Sequence, residues 1–248
     1  MNYTYKVLLR STQIAYYDIN DIAIREVAQE KRENGILDSA NSYTLKDLFN
    51  YSDTFRNSIY ISIRESLGLS NDIDVSTREQ ALSFVDLFFD GDESKRVAIS
   101  EVYDIIEEIE HGDLGNWKLV SYVFNDDIGV PGIAGKLTDQ DWLHENFSPS
   151  GDGLCAYVFE TADDSAIVAF RGSQPLDNVD IMDFVSDWLA ADVGLALEND
   201  ETVQQKSTEQ YIKDYVNVLG YDHYAFAGHS LGGNLYPRLN NKIIQSAA

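Results

Sequence analysis

The chain has 248 residues, 44% of them hydrophobic, which excludes a disordered chain and suits one α/β domain or such a domain with a helical extension. Its 42 acidic residues outnumber 18 basic ones for a net charge of −24; this excludes nucleic acid as a partner, disfavours anionic membrane surfaces and suits a neutral or cationic ligand. Cys155 is the single cysteine, so neither an intrachain disulfide nor a thiolate metal cluster can form. No stretch approaches the ~18 uninterrupted apolar residues of a membrane-spanning helix, and Met1 to Asn20 lack the apolar block of a signal peptide. A soluble, cytoplasmic protein is the default expectation, and leaderless export would leave no mark.

Residues 1–115 read as a helical N-terminal region. Ile19, Ile22, Ala23 and Val27 share a helical face behind Asp18, a candidate N-cap. Ser58 to Ile63 alternates in the manner of a strand amid surroundings that read as helical. Ser76-Thr77-Arg78-Glu79 has the form of a capping box, opening a helix with Ala81, Leu82, Val85, Phe88 and Phe89 on its apolar side and Asp90-Gly91 as its stop. Ala98, Ile99, Val102, Ile105, Ile106 and Ile109 form the clearest amphipathic stripe, closed by His111-Gly112. These stripes are read as core-facing helix surfaces.

From Trp117 the pattern changes. Trp117 to Phe124, Leu154 to Phe159 and Ala166 to Phe170 are short β-rich runs, and Ala162-Asp163-Asp164-Ser165 predicts a hairpin between the last two. Helical patterns follow through Met182, Val185 and Leu189, then from Val203 to Leu219 with Gly220 as a stop. Strands alternating with helices predict a mostly parallel sheet covered on both faces, occupying residues 116–248. Tyr224 to Ala227 is the next strand, and it runs into Gly228-His229-Ser230-Leu231-Gly232-Gly233.

That last segment has the form of a nucleophile elbow. The serine of such a motif sits on a sharp strand-to-helix turn, where the flanking glycines avoid a collision between Cβ and neighbouring backbone. The turn lifts the hydroxyl above the sheet, and the next backbone N–H can help hold an oxyanion. Leu231, Leu235, Leu239 and Ile243 supply an amphipathic run behind it, although Pro237 would strain a helix through that point.

Two further segments sharpen this reading. Ala169-Phe170-Arg171-Gly172-Ser173 closes a strand, and Asp183-Phe184-Val185-Ser186-Asp187 follows it. In this order and spacing, residues 117–236 resemble the class 3 lipase family of α/β-hydrolases, with Phe184 where that family usually has Trp and Trp188 close by. The resemblance implies an α/β-hydrolase fold with Ser230 as nucleophile, Ser173 as an oxyanion-hole residue and the backbone N–H of Leu231 as second donor. It marks Gly228, His229, Gly232, Gly233, Arg171, Gly172, Asp183 and Asp187 as supporting the motifs, and it implies no metal and no organic cofactor. Capping a helix or turn is the ordinary alternative for Ser173; Asp183 and Asp187, four apart on a helix, suit capping or ion pairing better than chemistry. The implied reaction is hydrolysis of a carboxylic ester, a small molecule or lipid that is uncharged or cationic. A thioesterase or acyltransferase could use the same elbow, and a hydrolase scaffold kept for binding alone is the rival from another class. Ser173 to Met182 could carry a small lid, with Leu176, Val179, Ile181 and Met182 as apolar cover, or be an ordinary connection.

A serine nucleophile needs an imidazole within hydrogen-bond reach and a carboxylate to orient it, and α/β-hydrolases supply them in the order serine, acid, histidine. Here no histidine follows Ser230. His229 belongs to the motif, His223 opens the strand, His111 closes a helix, and His144 is left as an unconventional base. The expectation is a lipase-like domain truncated after the elbow helix, impaired in catalysis and open to self-association through an uncovered sheet edge.

Overall fold

The computed structural model describes residues 5–35, 43–125, 133–137, 142–146, 154–161, 165–171 and 203–228. In the first part, helices begin where a side chain can take up the free amides of the first turn. Helix α1 (Tyr5–Ile14) precedes α2 (Asp21–Glu33), whose cap is Asn20, accepting from the Ile22 and Ala23 amides, and not the expected Asp18. Asp18 instead donates its backbone N–H to the Ser58 hydroxyl at 3.0 Å. Thr44 and Asp47 form a reciprocal capping box for α3 (Leu45–Tyr51), and Ser52 caps α4 (Asp53–Ser66). The capping box of α5 (Arg78–Phe88) is Thr77 with Gln80, one residue beyond the expected Ser76 and Glu79. Asp92 caps α6 (Glu93–His111), which stops at Gly112 as expected. Gly112 has an ordinary φ of −108°; it is needed because a Cβ there would lie 2.9 Å from the Glu108 carbonyl oxygen. Ser58 to Ile63 lies inside α4, where Phe55, Ile59 and Ile63 are buried at helical spacing, so the apparent strand alternation is part of a helical stripe.

The strands are β1 (Tyr43–Thr44), β2 (Lys118–Asn125), β3 (Ile133–Leu137), β4 (Trp142–Asn146), β5 (Leu154–Glu160), β6 (Ala166–Arg171) and β7 (Tyr224–Gly228). They form one sheet in the order β4-β3-β2-β5-β6-β7, with β1 pairing the start of β2. The expected mostly parallel sheet is not what forms: among the described strands every pairing is antiparallel except that of β6 with β7. Connection length is the physical reason. A parallel return needs a crossover of a dozen or more residues, and the links from β2 through β6 are too short for one. From β2 onward, the long connection is that from β6 to β7, through α7 (Val203–Tyr211), a π-helical turn (Ile212–Val216) and a 3₁₀ turn (Asn217–Leu219) ending at Gly220 with φ 77°. The class is α/β with a mixed sheet. The hairpin between β5 and β6 is present as the sequence predicts, while the helical pattern through Met182 and Leu189 lies outside the described residues.

Both faces of the central strands β5 and β6 are covered. On β5, Tyr157 and Phe159 point to one face and Leu154, Ala156 and Val158 to the other; on β6, Ile167 and Ala169 oppose Ala166, Val168 and Phe170. The first face packs on α1 to α6 through Ile14, Ile24, Leu48, Phe55 and Ile105, and the second on Tyr211, Ile212, Tyr215 and Val216. A bulge between Leu119 and Ser121 shifts β2 by one residue, so that Leu119 and Tyr122, three apart, share the first face. The sequence boundary near residue 115 falls between α6 and β2, and the first-face core runs across it.

Candidate active site

Strands β6 and β7 carry the two motif segments, and they are parallel neighbours with Phe170 opposite Gly228. Their carboxyl ends are therefore level, about 4.8 Å apart, at one edge of the sheet. Open α/β sheets place ligand sites beyond the carboxyl ends of parallel strands. Of the residues expected at the site, Arg171 and Gly228 end these strands. Gly172, Ser173, Asp183, Asp187, His229, Ser230, Leu231, Gly232 and Gly233 lie outside the described residues, as does the lid expected from Ser173 to Met182. Ser173 and Ser230 each follow a described strand end by two residues, a length of at most ~7 Å.

The same edge receives the start of β5 and the end of β2, because Cys155 pairs with Arg171 and Asn125 with Leu154. Arg171 is only 3% exposed. Its Nη2 lies 3.0 Å from Cys155 Sγ, and its guanidinium carbon lies 5.3 Å from the centre of the Phe124 ring. A buried guanidinium is expensive unless it is well surrounded, so these contacts fix the end of β6 sideways against β5 and β2. The sequence reading marked Arg171 and missed Cys155 and Phe124. Counting back from the hairpin turn at Ala162 to Ser165 would have set Cys155 opposite Arg171, since an antiparallel register is fixed by its turn.

Three of the four histidines lie among the described residues. His111 ends α6, which leads through a 3₁₀ turn into the start of β2, at the opposite edge. His223 precedes β7, and its carbonyl accepts the Ala166 amide at 3.1 Å, again at the far end of the strand pair. His144 lies on β4, five ladders from β7, which is ~24 Å along the sheet. The backbones of His111 and His223 thus stand at the other end of the strand pair, and that of His144 lies ~24 Å along the sheet from β7.

Among the described residues no group of three or more His, Cys, Asp or Glu side chains could hold a metal, and no helix is long and apolar enough to cross a membrane. No protein-family profile, no curated protein and no solved structure matches the chain.

Proposed function

We propose that the chain is a serine hydrolase of the lipase or carboxylesterase type, acting on a neutral or cationic ester. Ser230 Oγ attacks the ester carbonyl, Ser173 and the Leu231 N–H hold the oxyanion, the alcohol leaves, and water hydrolyses the acyl-enzyme. The observation that carries the reading is the level, parallel ending of β6 and β7 beneath the Arg171-Gly172-Ser173 and Gly228-His229-Ser230 segments. The likeness to an α/β-hydrolase is confined to this strand, crossover and strand unit, and the antiparallel strands before it are an addition to that scheme. A second reading, a hydrolase scaffold used for binding alone, is favoured by the positions of His111, His144 and His223.

Turnover of a p-nitrophenyl ester series by the wild type, Ser230→Ala and His144→Ala separates the two. An oxyanion hole without a working base leaves roughly 10³ to 10⁴-fold over water, against about 10⁶-fold more for an intact triad. We expect weak turnover, no effect of His144→Ala, and acceleration by added imidazole in the wild type beyond that seen in Ser230→Ala. Absence of any Ser230-dependent turnover, with and without imidazole, would leave the binding reading in its place.

A further inference from the structure

We infer that the carboxyl end of α5 is a docking surface for a basic amphipathic helix of another protein. The helix is apolar on two sides. Ala81 and Val85 are buried in the core, while Leu87 is 70% and Phe88 58% exposed. Phe84 bridges the two sides, packing against the core and stacking on the Phe88 ring one turn away at a centroid distance of 6.0 Å. Phe84, Leu87 and Phe88 thus offer the i, i+3, i+4 pattern that receives a facing helix.

The surroundings of this patch are acidic. Asp86, Asp90, Asp92 and Glu93 are exposed, and the nearby cations are engaged: Arg96 is ion-paired with Asp86, and Lys95 lies over the Phe89 ring. Asp90 and Gly91 both take left-handed backbone, with φ of 52° and 69°. The turn folds so closely beside the last turn of α5 that a Cβ on Gly91 would lie 3.5 Å from Asp86 Oδ1. Asp90 follows Phe88 by two residues, so the exposed carboxylates of the turn come directly after the exposed Leu87 and Phe88 in the chain.

This charge selects the occupant. A second copy would bring identical acidic rims together on a chain of net charge −24. An anionic bilayer is repelled in the same way. A helix with an apolar stripe flanked by lysines or arginines satisfies both the patch and its rim.

The test uses the full chain and a fluorescein-labelled 14-residue amphipathic peptide of leucine and lysine, read by anisotropy at physiological salt. The double variant Leu87→Ser/Phe88→Ser changes no charge and alters exposed positions only, and Asp90→Asn/Glu93→Gln tests the rim; thermal melts by circular dichroism check both for folding. The expected result is binding by the wild type, weakened about tenfold or more in the apolar variant and less, with a shallower salt dependence, in the rim variant. Equal binding by the wild type and the apolar variant, or no binding by the wild type, overturns the proposal. So does wild-type self-association in sedimentation velocity that the apolar variant abolishes, or patch-dependent binding to phosphatidylserine vesicles.

Discussion

Glu26 fastens α2 to the junction between α3 and α4, and its removal is a quantitative test of how the helical layer is held. Its carboxylate accepts from the Ser52 hydroxyl at 2.6 Å, the Thr54 amide at 3.0 Å and the Thr54 hydroxyl at 2.9 Å. Ser52 is fully buried and caps α4 by accepting from the Phe55 amide at 3.0 Å, so the carboxylate braces the cap itself. Hydrogen bonds to a charged group are worth ~1.5–3 kcal/mol each, but this carboxylate is partly exposed and the Thr54 groups can turn to water, so Glu26→Ala should cost about 2 kcal/mol. Burial tends to raise the Glu26 pKa, and the hydrogen bonds from Ser52 and Thr54 with the nearby Arg56 charge outweigh it, leaving the pKa lowered. With the folded value below the unfolded one, the stabilisation is complete above the ordinary glutamate range and is lost as pH falls through the lowered folded value. Urea denaturation followed by tryptophan fluorescence at pH 7 and pH 3 brackets the chain's pI of about 4.2. Glu26→Gln should be destabilised by ~1 kcal/mol at pH 7, and the gap to the wild type should narrow as falling pH protonates the carboxylate. A Glu26→Gln difference that does not narrow at all as the pH is lowered, or a Glu26→Ala loss under ~0.5 kcal/mol at pH 7, would refute this account of the junction.

Phe159 is fully buried on the first face of the sheet, against Trp117 and Tyr157 with ring centroids 6.2 and 6.3 Å away. Phe159→Ala should cost about 3–4 kcal/mol in urea denaturation, and a loss below ~1 kcal/mol would show that the helices and the sheet do not share one core. Gly112→Ala should cost roughly 1–2 kcal/mol, because the new Cβ would press on the Glu108 carbonyl oxygen 2.9 Å away, and a neutral result in a thermal melt would contradict the close approach of chain to helix end.

Helix α6 was legible in the sequence because its buried residues Ala98, Ile99, Val102, Ile105, Ile106 and Ile109 keep one period from end to end. Helix α1 was not, because it buries Arg10, Ser11, Thr12 and Gln13 where an apolar stripe is expected. Arg10 bonds Gln13 at 2.8 Å, and Gln13 reaches Glu101 of α6 at 3.4 Å, so this interface is polar and leaves no hydrophobic period. Strand β3 carries Gly135 and Lys136 and β4 carries His144, Glu145 and Asn146, too few β-branched residues to stand out. The expectation of parallel strands failed for an instructive reason. The runs Leu154-Cys155-Ala156-Tyr157-Val158-Phe159 and Ala166-Ile167-Val168-Ala169-Phe170 are apolar on both sides, the usual mark of parallel strands between two helical layers. Here a hairpin is covered on both faces, so composition reported burial correctly and direction wrongly. At the candidate site, the β6 and β7 segments were legible as apolar β-rich runs, whereas the packing of Arg171 against Phe124 depends on β2 lying beyond β5, a long-range order that no local pattern encodes.

The strand order also constrains the chemistry. On the proposed reading a base for Ser230 approaches the carboxyl ends of β6 and β7, and the described residues of the strand ends nearest them, at the end of β2, the start of β5 and Arg171, offer a phenyl ring, an amide, a thiol and a guanidinium. The guanidinium cannot accept a proton, and the thiol at Cys155 is buried and already in contact with it. No described group beside the ends of β6 and β7 is therefore suited as that base. A geometric need accounts for why Arg171 is locked to its neighbours: with one parallel pair in place of a wide parallel sheet, the level ending of two strands is the geometric reference for both motif segments, and a β6 end free to slide would lose the alignment with Gly228 that any oxyanion hole between them requires.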